Sequence, residues 1–87
     1  MQIRIEPHTL KRALERGANE HEIIEVLNNG TTVVAKEGRS AKAKVFEFNA
    51  LRNEKHYHQK KIEVYFIIEA LTIVTITVYV YYGKWEE

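Results

Sequence analysis

The sequence predicts an α+β domain in which an N-terminal two-helix hairpin packs on a four-stranded antiparallel sheet. Two patterns support this fold class: apolar residues recur at helical spacing before Gly30, and from Thr31 onward they alternate at the two-residue period of strands. Length adds a third observation, because 87 residues, 45% of them hydrophobic, can build one core but not two. We therefore expect a single domain over residues 1–87, without repeats or linkers.

The first helix is bounded by a proline and a glycine. Residues 2–5 alternate in the manner of a short strand or an extended lead-in, and Pro7 fixes the backbone where the helix begins. We expect this helix to run to about Arg16, because Gly17 stands where a left-handed C-terminal residue is needed. Its inner side is expected to carry Leu10, Ala13 and Leu14.

The second helix has its own start and stop signals. Asn19, with Glu22 three residues later, has the pattern of a capping box. The apolar residues expected on the inner side of this helix are Ile23, Ile24, Val26 and Leu27. We expect the helix to end near Asn28 or Asn29, with Gly30 as its stop, so that the two helices form a hairpin.

Four antiparallel strands are expected after the helical hairpin. They span residues 31–36, 42–48, 57–70 and 73–82. A turn that contains Gly38 joins the first two, and a polar loop over residues 49–55 precedes the two long ones. One face of the sheet is strongly apolar and is expected to receive both helices. The opposite face is expected to carry Tyr65, Ile67, Ile73, Tyr79 and Tyr81.

A polar stripe on the first helix is the leading functional candidate. His8, Arg12 and Arg16 recur at steps of four, which places them on one side of the helix. Two guanidinium groups and an imidazole in line can hold phosphate or carboxylate groups. Two plainer interpretations stay open. The stripe can be the solvated side of a packed helix, or its arginines can pair with Glu15, Glu20 or a carboxylate of the sheet and orient the hairpin.

Charge is uneven along the chain, although the net formal charge is only +1. Residues 36–61 carry eight basic and three acidic side chains, a local charge of +5, whereas the flanks are acidic. Such a segment can contact a nucleic-acid backbone, or its lysines can simply discourage pairing between strand edges. The tyrosines of the last strand, together with Trp85, offer surfaces for base stacking or for a protein interface.

Composition argues against several classes of site. Cysteine is absent, so disulfides, thiolate zinc sites and a cysteine nucleophile are excluded. His56 and His58 would share a strand face, but this spacing is common by chance, and no metal site is predicted. No nucleotide-binding loop or hydrolase triad is visible, so no cofactor is expected. Glu63 and Glu69 interrupt the apolar run after Ile62, and the first residues lack the features of a signal peptide. We therefore expect a cytoplasmic protein without a membrane segment.

The order of these features resembles a known family of small, mostly bacterial proteins. The matching positions are His8, Arg12, Arg16, Gly17, Glu22, residues 24–27, Phe46, Glu47, Phe48, Asn49, Tyr57, Lys60 and residues 76–82. The chain is in this respect similar to the domain of unknown function 4258 family, which is related to the RelE and BrnT type toxins. The resemblance implies a RelE-like fold and a place in toxin–antitoxin biology.

An RNA-cleaving activity is the function that this resemblance implies first. A metal-independent endoribonuclease needs a base for the ribose 2′-hydroxyl, cations for the charged phosphorane and an acid for the leaving oxygen. The predicted catalytic residues are His8, Arg12, Arg16 and Lys60. The predicted binding residues are Tyr57, Lys61, Tyr79 and Tyr81.

The predicted partners are RNA or the ribosome, an antitoxin protein and a second copy of the chain. A competing hypothesis treats the protein as a non-catalytic interaction module that forms a homodimer or a partner complex through the outward face of its sheet. The two hypotheses differ in which surface should be sensitive to substitution. A nuclease depends on the helix stripe, whereas an interaction module depends on Ile73 and Tyr79.

Overall fold

The computed structural model describes residues 1–85 as a helical hairpin packed on a five-stranded sheet. Its elements are β1 (Gln2–Arg4), α1 (Pro7–Arg16), α2 (Glu20–Asn29), β2 (Thr31–Val33), β3 (Ser40–Arg52), β4 (Lys55–Glu69) and β5 (Thr72–Gly83). The strand order across the sheet is β1-β5-β4-β3-β2. The predicted α+β class with N-terminal helices is confirmed. No helix within residues 1–85 is long and apolar enough to cross a membrane.

The predicted number of strands is wrong, because a fifth strand joins the sheet. β1 pairs in parallel with β5, with Ile3 opposite Ile73, whereas the other strand pairs are antiparallel. The sequence left this segment as either a strand or an extended lead-in. Three residues acquire strand identity only from their partner, and here that partner lies at the opposite end of the chain.

The helix ends agree with the predicted capping signals. Gly17 adopts left-handed dihedrals (φ 101°, ψ 22°) at the end of α1. Asn19 and Glu22 form both hydrogen bonds of a capping box at the start of α2, at 2.8 and 3.0 Å. These signals act within four residues along the chain, so they do not depend on the tertiary fold.

α1 lies along the part of β5 that β1 does not pair, rather than over the middle of the sheet. It buries Thr9 and Ala13, and the Thr9 hydroxyl donates to the carbonyl of Ile76 at 3.1 Å. Leu14, expected on the inner side, is instead 59% exposed. That expectation is wrong because α1 packs mainly against one strand, β5, and so buries a narrower stripe of its surface than a helix laid across several strands.

The core lies between the two helices and one face of the sheet, which we call the inner face. Its buried members are Ala13, Ala18, Ile23, Val26, Leu27, Ile62, Val64, Phe66 and Val78. Residues directly opposite each other on neighbouring strands share a face, so the register assigns the remaining side chains. The opposite side, called the outer face, carries Ala41, Ala43 and Val45 of β3, Lys61, Glu63 and Tyr65 of β4, and Thr77, Tyr79 and Tyr81 of β5.

A β-bulge reverses the predicted orientation of one end of β5. The register between β4 and β5 shifts beside Phe66, which pairs with Thr75 and lies in the core. Ile73, predicted on the outward face, therefore packs against the core. Simple alternation places Ile73 on the wrong face, because one extra residue in a strand moves each side chain beyond it to the opposite face of the sheet.

Two tight turns join the long strands. The predicted polar loop over residues 49–55 is mostly strand, and only Asn53 and Glu54 connect β3 to β4. Both have positive φ, as do Ala70 and Leu71 between β4 and β5, which is the pattern of type I′ hairpin turns. Ala70 and Leu71 are not residues that favour positive φ, so the second turn carries little signal in the sequence.

Candidate nucleic-acid interface

The predicted polar stripe lies on α1, but its three side chains have different surroundings. His8 and Arg12 are exposed, and Arg12 lies 3.9 Å from a carboxylate of its own helix, a pairing of little energetic value in solvent. Arg16 donates to the carbonyl of Val78 at 2.7 Å, and its guanidinium carbon lies 5.2 Å from the ring centre of Tyr79. Of the three, Arg16 is the residue that joins the stripe to the sheet.

Lys60 lies beneath the helical hairpin, far from the start of the stripe. It is 8% exposed, its ammonium is 2.9 Å from the carboxylate of Glu22, and it donates to the carbonyl of Gly17 at 2.8 Å. His8 is in the first turn of α1, which places its backbone about 13 Å of helix from Gly17. The structure therefore does not bring Lys60 and His8 into one site.

Side chains of the sheet donate hydrogen bonds to the carbonyl groups at the end of α1 and at its cap, Gly17. These carbonyls have no amide donor within the helix, and they carry the negative end of its dipole. The three bonds run from Tyr82 to Arg16 O (2.7 Å), from Lys60 to Gly17 O (2.8 Å) and from Arg52 to Glu15 O (3.0 Å). A Cβ atom at Gly17 would overlap the Tyr82 hydroxyl. Arg16, which ends the polar stripe, and Gly17, which follows it, thus both take part in the docking of α1 on the sheet.

Half of the cations in the basic segment contact the two helices. The four contacts are Lys42 with Leu27 O (3.0 Å), Lys44 with Glu25 (3.2 Å), Arg52 with Glu15 O (3.0 Å) and Lys60 with Glu22 (2.9 Å). A hydrogen bond from Asn29, and then the Lys44 ammonium, hold the pKa of Glu25 below its usual value. Much of the local charge of +5 therefore stabilises the packing of the helices on the sheet.

Aromatic and cationic side chains meet on the outer face. Tyr79 and Tyr81 are 41% and 45% exposed and stand two residues apart on β5, a separation of about 7 Å. Arg16 lies 5.2 Å from the ring centre of Tyr79, and Lys61 lies 5.6 Å from that of Tyr81. Tyr65 contacts Tyr79 edge-on, with 5.7 Å between ring centres. We call Arg16, Lys61, Tyr65, Tyr79 and Tyr81 the stacking surface.

A carboxylate lies among these tyrosines. The Glu63 side chain is 15% exposed, accepts a hydrogen bond from the Tyr65 hydroxyl at 3.3 Å and lies 3.8 Å from the Lys61 ammonium. Desolvation, followed by the charge of Glu63, raises the pKa of both Tyr65 and Tyr81 above the usual value of a phenol. The phenol groups therefore stay neutral at physiological pH, and the surface combines aromatic rings with charges of both signs.

Tyr57 belongs to a different aromatic cluster from the other predicted binding residues. Its ring lies 5.6 Å from that of Tyr82, which in turn contacts Phe48 edge-on at 5.1 Å. The Tyr82 hydroxyl bonds to α1, so this cluster supports the docking of the helix. The structure thus groups Lys61 and the two β5 tyrosines with Arg16, and places Tyr57 elsewhere.

A cleft beside the stacking surface was not predicted from the sequence. Residues 34–39, predicted as strand and turn, leave the sheet after β2 and face β4 and β5 across a cavity of about 400 Å³. Its lining comprises residues 34–36, Arg39, Tyr65, Thr77 and Tyr79. The available signal was the pair of small residues Ala41 and Ala43, which lie on the outer face and are nevertheless buried.

The two histidines of the possible metal motif lie at the start of β4. The rings of His56 and His58 contact each other edge-on, with 5.2 Å between their centres. Among residues 1–85, no group of three or more His, Cys, Asp or Glu side chains is arranged to hold a metal ion. The paired imidazoles thus have no third protein ligand within the described chain.

Comparison with known proteins gives no family for this chain. No family model matches it, and searches of curated proteins and of solved structures find no significant match. The resemblance to the domain of unknown function 4258 family is therefore an untested expectation. Function has to be argued from the chemistry of the site, since a fold by itself does not specify an activity.

Proposed function

We propose that this protein is a single-domain, toxin-like RNA-binding protein that holds single-stranded RNA on the outer face of its sheet. The observation that carries the proposal is the pair of exposed rings, Tyr79 and Tyr81, on one face of β5, each with a cation beside it. Arg16 and Lys61 supply these cations from two different elements.

Exposed rings on a sheet are suited to unpaired bases. A base stacked on an aromatic side chain contributes about 1–3 kcal/mol, as measured by alanine substitution, and every base can stack. A helix-backed sheet with aromatic residues on its open face is an established way to present such rings to RNA. Cations close to such rings can neutralise the phosphates that connect stacked bases. Arg16 and Lys61 lie over the rings of Tyr79 and Tyr81, 5.2 and 5.6 Å from the ring centres, so their charges are close to the positions that stacked bases would take.

Cleavage of the bound RNA is not included in this proposal. Lys60 would have to leave Glu22 to act as an acid, and His8, in the first turn of α1, is separated from it by nearly the length of that helix. The catalytic set, the ribosome and antitoxin partners and the cytoplasmic location stay predictions from the sequence. RNA binding is the part of the toxin-like hypothesis that the outer face supports.

The proposal is tested by fluorescence anisotropy with a short labelled single-stranded RNA at low salt. Tyr79→Ala should weaken binding roughly 5- to 150-fold, the equivalent of one lost stacking contact. Tyr79→Phe keeps the ring and should bind like the parent protein. Tyr57→Ala removes a partly exposed tyrosine outside the stacking surface and is the matched control, with affinity expected within about twofold of the parent.

The outcomes separate the proposal from a loss of folding. Circular dichroism melting curves should show that Tyr79→Ala is folded at the assay temperature. No RNA binding by the parent protein, or equal losses in Tyr79→Ala and Tyr57→Ala, would contradict a role for the outer face. Equal loss in Tyr79→Phe would show that the hydroxyl rather than the ring is responsible.

A second candidate is a homodimer formed through the same surface. The exposed fractions of Tyr79 and Tyr81, together with Val45 at 37%, favour it because apolar and aromatic side chains are common at protein interfaces. Sedimentation velocity over a range of concentrations distinguishes the two functions. A dimer that Tyr79→Glu dissociates, and that excludes RNA, would favour the interaction module; a monomer that binds RNA would favour the proposal above.

A further inference from the structure

The cleft beside the stacking surface is formed by a segment that folds over the sheet. Residues 34–39 reach Tyr65 and Tyr79, which lie on the two strands beyond β3. Ala41, opposite Tyr65 on the outer face, is only 1% exposed, in keeping with cover from this segment. The small alanine side chain leaves room for the backbone above it.

The turn at the end of this segment places two cations at the cleft. The amide of Arg39 donates to the carbonyl of Lys36 at 3.1 Å, and Gly38 has a positive φ of 78° at the third turn position. Lys36 and Arg39 line the cavity, whereas Glu37 does not. Neither cation forms an ion pair with a carboxylate of residues 1–85, whereas Lys44 on β3 pairs with Glu25.

We propose that this cleft receives one nucleotide of the bound RNA, with its phosphate between Lys36 and Arg39 and its base against Tyr79. The inference rests on the RNA-binding function proposed above. Two adjacent cations of different geometry can hold one phosphate group, Arg39 through paired N–H donors and Lys36 as a point charge. Tyr79 belongs both to the cleft and to the stacking surface, so an RNA strand bound on that surface would lead into the cavity.

The size and lining of the cavity agree with one nucleotide. Its volume of about 400 Å³ lies near the lower end of the range for small-ligand pockets, which fits a single nucleotide better than a longer segment. The partly buried Ala35 contributes an apolar side chain to the lining, and Thr77 contributes a hydroxyl group. Apolar walls with a few fixed polar groups are the usual composition of such pockets.

The test combines Lys36→Gln and Arg39→Gln in one variant and measures RNA affinity as a function of salt. One phosphate on a single strand contributes about 0.7 to the slope of log affinity against log salt. The variant should lose about 0.7 of that slope, and its affinity at about 0.1 M salt should fall roughly fivefold. Lys11→Gln combined with Lys55→Gln removes the same two charges at exposed positions outside the cleft; this matched control should change neither quantity.

The two proposals fail in different ways. If the parent protein binds RNA and Tyr79→Ala does not, but the double variant keeps the parent slope, the cleft proposal is overturned and the stacking surface stands. If the parent protein does not bind RNA at all, both fall. A slope loss equal to that of the Lys11→Gln, Lys55→Gln control would also overturn the cleft, because it reflects net charge alone.

The phosphate could belong to the end of the RNA or to its interior. Matched RNAs with a 5′-phosphate, a 3′-phosphate or free hydroxyl ends distinguish these sources. A slope loss seen only with one phosphorylated end assigns the cleft to that terminal phosphate, and an equal loss with all three RNAs assigns it to an internal one. Melting curves on the double variant should match those of the parent protein, because both side chains are on an exposed turn.

Discussion

Replacing Lys60 by methionine tests whether this residue stabilises the fold or serves the function. Methionine keeps most of the aliphatic length but removes the charge and all three donors. The parent ammonium contacts both oxygens of Glu22, at 2.9 and 3.1 Å, and the carbonyl of Gly17 at 2.8 Å. The side chains of Lys60 and Glu22 are only 10% and 19% exposed, so water replaces these contacts poorly.

The expected cost follows from these contacts. Breaking a buried ion pair by removing one partner costs about 3–5 kcal/mol, and the partial exposure of Glu22 argues for the lower end. Glu22 also keeps its capping bond to the amide of Asn19, which limits the penalty. We expect Lys60→Met to lower the free energy of unfolding by about 3 kcal/mol, which in a domain of this size corresponds to roughly 12–24 °C in Tm.

Urea denaturation followed by circular dichroism measures this difference. Lys61→Met is the matched control, since its parent ammonium is one residue away, 31% exposed and 3.8 Å from Glu63. The control should lose less than about 0.5 kcal/mol. Adding Glu22→Gln to Lys60→Met should cost less than the sum of the single variants, by about 1–2 kcal/mol, because the two side chains interact directly.

The two lysine variants should also separate stability from RNA binding. Lys60→Met, assayed below its melting transition, should keep the parent RNA affinity, whereas Lys61→Met should keep stability and bind RNA more weakly. A Lys60→Met protein as stable as Lys61→Met would refute the structural role of Lys60. A folded Lys60→Met that loses RNA binding or an RNA-cleaving activity would support the catalytic role predicted from the sequence.

Three further variants test two backbone positions with positive φ and one charge on the outer face. Gly17→Ala should lower the free energy of unfolding by about 2–4 kcal/mol, since φ is 101° and the added methyl displaces the Tyr82 hydroxyl; a urea-measured loss below about 1 kcal/mol would contradict this. Leu71→Gly should raise unfolding free energy by about 1 kcal/mol, because Leu71 is 76% exposed with φ 66°, and lower thermal stability would count against turn strain. Glu63→Gln should tighten RNA binding up to about fivefold by removing a negative charge beside the stacking surface, and weaker binding would argue against RNA there.

Local signals predicted the helical part of the fold well. Gly17, Asn19 and Glu22 act through hydrogen bonds and dihedrals within a few residues, so their roles could be inferred before any tertiary contact was known. The facing of Ile73 could not, because it depends on a bulge in the pairing of β4 with β5. β1 could not be predicted as a strand for a related reason, because the strand it pairs with, β5, lies at the other end of the chain.

The functional residues show the same division. Lys60 and Lys61 are adjacent and chemically alike, yet one is buried against Glu22 and the other lies beside Tyr81 on the outer face. Strand alternation predicts that they point to opposite sides, but not which side contains a carboxylate. Arg16 was selected for its place in a helical stripe, and its neighbour Tyr79 became apparent only from the packing of α1 along β5.

The distribution of cations also decides what kind of RNA binding is expected. Because half of the basic segment contacts the helical hairpin, the cations beside the outer face reduce to Arg16, Lys61 and the two of the cleft, with Glu63 opposing them. Because the two cations of the cleft share one phosphate, these side chains make three phosphate contacts, and on a single strand these would give a salt slope of at most about 2.1, a modest electrostatic contribution. Stacking on the β5 tyrosines must therefore supply much of the affinity, which makes the loss of a ring more damaging than the loss of any one charge.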